Sequence, residues 1–301
     1  MASLASAAAL TAGAIKHEYR FTTEDFKRIS SLIYQRAGIC LPPHKSEMVY
    51  NRLSRRLRAL QLRSFHDYLE LLGHDNAEWE QFIGALTTHL TSFFREEHHF
   101  PILAKHAGQK ACHGRVRLWS CAASTGEEAY SMAITLAEYF GTLCPPVEIL
   151  ATDVDAGVLE SAGQGVYPAE RVSSLPVSML QRYFLKGNGN NKGLVKIRPE
   201  LRQLITFRQL NLLDQVWSLP GQFDAIFCRN VMIYFDRSTQ RHVLSHCQRY
   251  LADDGLLFAG HSENLSHVAD LFDACGKTVY RPHLVRPEPV PELPVGMVCY
   301  A

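Results

Sequence analysis

The chain has 301 residues, 47% of them hydrophobic and 20% charged, with a formal net charge of +1. That length allows two domains and a sizeable core, and so small a net charge argues against bulk binding to nucleic acid. No apolar run reaches the ~18–20 residues of a membrane span.

The elements in chain order begin with a leader, residues 1–20, opening "MASLASAAALTAGAI". It lacks the basic stretch with which a secretory signal starts, so it reads as a flexible terminus. Residues 21–90 read as helices and form a small all-helical domain. In "TTEDFKRISSLIYQRAG" a Thr cap precedes two acids, and Phe26, Ile29, Ile33 and Ala37 recur at helical spacing up to Gly38. In "MVYNRLSRRLRALQL" Leu53, Leu57 and Leu60 form one stripe, and Arg52, Arg55, Arg56 and Arg63 a neighbouring one. Residues 16–70 hold eleven Lys and Arg against six Asp and Glu. The arginine stripe is either a solvated face or a docking surface for an acidic partner. Residues 91–114 read as a linker.

From Arg115 strands alternate with helices: "RVRLWSCA", "GEEAYSMAITLAEYF", "VEILATDVD", "AGVLESAGQGVY", then "FDAIFCRN" and "DGLLFAGHS" around the helix "RSTQRHVLSHCQRYLA". This predicts a doubly wound, mostly parallel sheet over residues 115–282. Short strands around "GNGNNKG" suggest a small antiparallel insert at about 185–210. Residues 283–301 are a Pro-rich tail without expected structure.

Ligands of such sheets lie beyond the C-terminal strand ends. Standing there are Ser120 to Glu127, Asp153, Asn211, Leu212, Arg229 and Asn230. Asp153 suits a ribose diol, Asn211 an adenine edge and Glu127 a cation. A pyrophosphate would face Glu127 and Glu128, so a dinucleotide fits badly. Adenosine with a cation and no phosphate describes S-adenosylmethionine (AdoMet), although a nucleotide or a plain capping role for these acids stays open. Eight cysteines occur without a C-x-x-C pair and read as free thiols, Cys121 and Cys228 among them buried. The fourteen histidines, His242/His246 and His98/His99 included, lack H-E-x-x-H or cysteine company, so no metal is expected.

Five segments, "TTHLTSFFRE", "WSCAASTGEEAYS", "ATDVD", "FDAIFCRNVMIYF" and "DGLLFAGHSEN", together resemble the CheR-type chemotaxis receptor methyltransferases, in order from Phe21 to about Pro282. The resemblance implies an α/β Rossmann-like AdoMet methyltransferase sheet with a small antiparallel insert, preceded by an all-helical domain. It implies a cytoplasmic, monomeric enzyme, recruited to membrane receptors, that methylates glutamate side chains on receptor helices and releases S-adenosyl-L-homocysteine. By the same resemblance Thr91 and Arg95 close over the cofactor, Glu127 meets the methionine ammonium and Asp153 holds the ribose. Asn211 and Leu212 border the adenine, Arg229 and Asn230 floor the pocket, and Tyr234 stands beside the transferring methyl. Arg95 and Tyr234 are thus the expected catalytic residues. His89 takes a cofactor-contacting position where the family usually has Asn. The insert is expected to bind the receptor's C-terminal peptide. An AdoMet methyltransferase for a small molecule or nucleic acid, and a non-catalytic AdoMet-binding scaffold, are the competing readings.

Overall fold

A computed structural model describes residues 18–283; most of the expected leader and the Pro-rich tail lie outside the described residues. The first helix, α1 (Thr23–Ala37), starts in a reciprocal cap: Thr22 Oγ1 accepts the Asp25 N–H, and the Asp25 carboxylate accepts the Thr22 N–H at 2.8 Å. It stops at Gly38, whose left-handed backbone turns the chain back. The four apolar residues predicted for this helix are its buried ones. Helices α2 (Ser46–Ala59), α3 (Phe65–Leu72) and α4 (Asn76–Leu86) complete an all-helical unit around Ile29, Ile33, Leu53, Leu57, Phe65 and Phe82.

Within the segment read as a linker the chain forms a further helix, α5 (His99–Lys110), whose Phe100, Leu103 and Ala107 belong to the core of the second unit. There follow β1 (Val116–Ser120), α6 (Glu127–Phe140), β2 (Val147–Asp153), α7 (Ala156–Gln164), β3 (Val166–Pro168), α8 (Val177–Tyr183), β4 (Phe184–Lys186), β5 (Leu194–Ile197) and α9 (Pro199–Arg202). The chain ends in β6 (Ile205–Gln209), β7 (Phe223–Cys228), α10 (Arg237–Tyr250), β8 (Leu251–Ala259), β9 (Phe272–Gly276) and β10 (Val279–Pro282).

Seven strands form one sheet in the order β6-β2-β1-β7-β8-β10-β9. All its neighbours pair in parallel except β10, which runs antiparallel to both β8 and β9. The pleat divides the core. Val116 and Leu118 of β1 face the α5/α6 layer, and Trp119, the residue after Leu118, faces the α10 layer. Both faces are covered, so β7 is apolar from Ala225 to Cys228, with Asp224 near its start.

The insert sits earlier than expected. A separate antiparallel sheet in the order β3-β5-β4 spans residues 166–197, and Ile205–Gln209 is the edge strand of the large sheet, paired with β2. The strand order reverses at β1, with β2 and β6 to one side and β7 and β8 to the other. This places a crevice at the C-terminal ends of β1 and β7.

Candidate active site

The crevice is built from the turn that follows β1. Gly126 starts α6 at φ +94°, and a Cβ there would lie 2.9 Å from that of Ala162. Only glycine fits both the backbone angle and the space. The turn aims the Ser124 N–H at the Asp153 carboxylate, 2.8 Å away, and the Asp155 N–H reaches its other oxygen at 3.1 Å. Asp153 is buried, which pushes its pKa up, and these two N–H groups pull the other way. An ionised carboxylate accepts about four hydrogen bonds; two are supplied from the backbone, so acceptor capacity remains toward the cleft that Asp153 lines. The Ser124 hydroxyl beside it is buried without a hydrogen-bond partner among the described residues.

The expected cation-binding acid requires a correction. Glu127 is fully buried, takes the Thr125 hydroxyl at 2.6 Å and pairs with Arg171 at 2.5 Å, behind the turn. Its neighbour Glu128 lines the cleft. Successive helical residues point ~100° apart, so only one of two adjacent acids can face a given side. Glu128 accepts the Ser120 hydroxyl at 2.7 Å and pairs with Arg229 at 3.0 Å. Burial raises its pKa, and Arg229 opposes that rise.

Arg229 lies at the C-terminal end of β7 and is 4% exposed. It also pairs with Glu96 at 3.2 Å and donates to the Arg95 carbonyl. Asn230, with φ +58°, donates through its side chain to Glu96, and its N–H goes to Glu263. Glu263 is itself buried and gathers the N–H groups of Asn230, Met232 and Gly260. Sequence reasoning gave no site role to Glu96 or Glu263, and it set Glu128 beside the ligand without choosing it over Glu127. The signal available for each was an acid inside a segment already singled out: "FFREE", "GEEAYS" and "GHSEN".

The other predicted residues converge on the same cleft. His89, Thr91, Arg95, Asn211, Leu212 and Tyr234 line it, together with Ala37, Ile39 and Leu86 of the helical unit. Their roles divide on closer geometry. The Asn211 side chain donates to the Arg36 carbonyl at 2.7 Å and accepts the Leu213 N–H, so it ties α1 to the loop after β6, with one donor and one acceptor position still open. His89 Nε2 lies 2.7 Å from the Thr87 hydroxyl and 3.0 Å from Asp155, the residue that caps α7. It links the inter-domain segment to α7. Arg95 donates to the Leu90 carbonyl, bracing its own loop. The Tyr234 hydroxyl makes no hydrogen bond among the described residues.

The arginine stripe is not uniform. Arg52 donates to the carbonyls of Ala85, Leu86 and Thr87, closing the C-terminal end of α4. Arg56 makes a two-bond pair with buried Glu78, which also accepts the Tyr68 hydroxyl. Arg55 and Arg63 are exposed. Among the described residues no cluster of His, Cys, Asp and Glu could hold a metal ion, and no helix is long and apolar enough to cross a membrane.

Comparison with known proteins agrees with this architecture. Residues 89–281 match the family model described as CheR methyltransferase, SAM binding domain, and residues 24–87 match CheR methyltransferase, all-alpha domain. The chain is 52% identical over 266 residues to chemotaxis protein methyltransferase 2 of Pseudomonas aeruginosa, covering 88% of this chain and 95% of that one. It is 54% identical over 257 residues to the chemotaxis protein methyltransferase of Salmonella typhimurium, covering 85% and 88%. Sheet, cleft and matches define an AdoMet-dependent methyltransferase. The chain belongs to the CheR methyltransferase family, and its methylation serves chemotaxis.

Proposed function

We propose that the chain transfers a methyl group from AdoMet to glutamate side chains of membrane chemotaxis receptors, forming methyl esters for sensory adaptation. One observation carries the reading: a single cleft has carboxylate and hydroxyl groups at Asp153 and Ser124 toward one end and half-buried Glu128 with buried Arg229 toward the other, Arg229 being shared with Glu96. Asp153 would hold the ribose, Leu212 and the Asn211 backbone would border the base, and Glu128 would meet the ammonium. Bound there, AdoMet supplies an electrophilic methyl group on a sulfonium.

The chain's own part in the chemistry follows from charge. A carboxylate acceptor and a sulfonium neutralise one another on the way to product, so strong ion pairing to either stabilises the reactants more than the transition state. What helps is alignment and exclusion of water. A glutamate is already ionised near neutral pH, so no residue has to remove a proton. Desolvation raises the acceptor's pKa, and Arg95 at the cleft wall counters that rise. Tyr234, with its hydroxyl free, orients the attacking oxygen.

Exposed Arg55 and Arg63 suit the acidic region of a receptor helix. The open edges of the β3-β5-β4 sheet suit an extended receptor tail, with Lys192 and Lys196 exposed at and after the 187–192 turn. Radiolabelled AdoMet with receptor-containing membranes, followed by base, tests the whole reading. Volatile methanol is the expected product. A base-stable label would assign another substrate class, and no label would favour a non-catalytic scaffold.

A further inference from the structure

Glu96 precedes α5 in a backbone that is costly for its residue type. It sits at φ +55°, and Phe94 two residues earlier at φ +53°. Such a conformation persists where surrounding bonds over-determine it. Those bonds come from three places: Asn230 Nδ2 at 3.3 Å, the His261 N–H at 3.1 Å and the Arg229 guanidinium at 3.2 Å. The first and last belong to the end of β7, the second to the end of β8. Glu96 therefore pins the segment carrying Arg95 onto the sheet.

Its charge has a second effect. Arg229 is the only cation paired with Glu128 among the described residues, and Glu96 shares it. Two carboxylates around one guanidinium leave the cluster with a net charge of about −1 when both are ionised. Without Glu96, Arg229 would be free to neutralise Glu128 alone, and the anionic end of the cleft would lose its surplus charge. We propose that Glu96 is a positioning residue that sets the charge of the ammonium subsite: by occupying Arg229 it leaves Glu128 able to receive a ligand cation. The inference rests on the proposed binding of AdoMet along this cleft.

The discriminating experiment compares two ligands by titration calorimetry. S-adenosylhomocysteine carries an amino-acid end with ammonium and carboxylate, and 5′-methylthioadenosine has the same nucleoside without that end. Glu96→Gln keeps the size and an acceptor oxygen and removes the charge. It should weaken S-adenosylhomocysteine about tenfold and leave methylthioadenosine within about twofold. Glu96→Asp should restore the ratio of the two affinities, and it stands alone as the test if Glu96→Gln does not fold. Equal loss of both ligands would make Glu96 a structural prop, and no loss of either would remove it from the subsite. A collapsed ratio in Glu96→Asp would overturn the charge argument. If the wild-type chain binds neither nucleoside, the cofactor reading fails with it; if it binds both and the variants do not change the ratio, only this inference fails.

Discussion

Asp153 and Tyr234 make opposite demands on a substitution. Asp153→Ala removes the acceptor of the Ser124 and Asp155 N–H groups and, on the proposed reading, that of the ribose hydroxyls. Charge-assisted bonds contribute ~1.5–3 kcal/mol each, so calorimetry should show S-adenosylhomocysteine affinity falling at least tenfold. Unchanged affinity would remove Asp153 from the cofactor site. Tyr234→Phe should leave that affinity alone and lower kcat, as for an interaction made mainly in the transition state; near-normal turnover would make Tyr234 a wall of the cleft.

At this scale the sequence identified the cleft but not every orientation in it. Asp153 and Arg229 were legible because strand ends are legible. The choice between Glu127 and Glu128 was not, since it depends on how α6 is rotated about its axis, and a string of letters carries no rotation. Asn211 is a similar case: its partner is a backbone carbonyl 175 residues away.

Among the elements, α2 separates structural from interacting arginines. Arg56→Ala would leave the Glu78 carboxylate, with 5% of its side-chain surface exposed, facing only Tyr68. Breaking one half of a buried pair costs about 3–5 kcal/mol, tempered here because Arg56 is itself a quarter exposed. Urea unfolding should register a loss of ~2 kcal/mol or more. Arg55→Glu with Arg63→Glu should shift stability by less than about 0.5 kcal/mol, yet slow receptor methylation; the wild-type rate should fall with added salt. Rates indifferent to both would return Arg55 and Arg63 to a solvated face. The stripe looked uniform in sequence because helical spacing reports only which side of α2 a residue occupies, not that α4 packs against half of it. Likewise α5 reads as a linker because Pro101 and Gly108 interrupt it. Proline in a first turn gives up only an N–H that has no partner within the helix. The misplaced insert has the same origin, since β5 and β6 are both short strands, and which sheet each joins is decided by its distant partners.

For the small sheet, a peptide from the cognate receptor's C-terminus should bind at about micromolar strength, and shortening the 187–192 turn should abolish that binding while sparing AdoMet. Tethering of this kind raises local concentration to ~mM without touching the chemistry. Binding that survives the shortened turn would exclude it as the tail's site.

Across the whole molecule, buried His99 couples pH to stability. Burial, with Arg229 adding to it, depresses its pKa from 6.5 to about 4. The fold therefore favours the neutral ring, and the unfolded chain takes up the proton first. Stability is present above 6.5 and is lost as pH falls toward 4, by up to ~1.4 kcal/mol per unit. Urea midpoints at pH 7 and pH 5 should differ more for the wild type than for His99→Gln. Equal differences would mean that His99 does not contribute.

Among the described residues, polar bonds that fasten the helical unit and the segment after it to the sheet include Tyr34 to Asp236, the Cys40 N–H to the Tyr234 carbonyl, Asn211 to Arg36 and His89 to Asp155. Ala37, Ile39 and Leu86 of that unit form one wall of the cleft, and strand-end residues form the other. A molecule bound between them touches both bodies and contributes to their cohesion. Its affinity is then also a measure of how firmly the two halves melt as one. Calorimetric scans should show the shoulder of a loosely attached helical unit without ligand and a single, later endotherm with S-adenosylhomocysteine, so that the cofactor product works as mortar between two bricks.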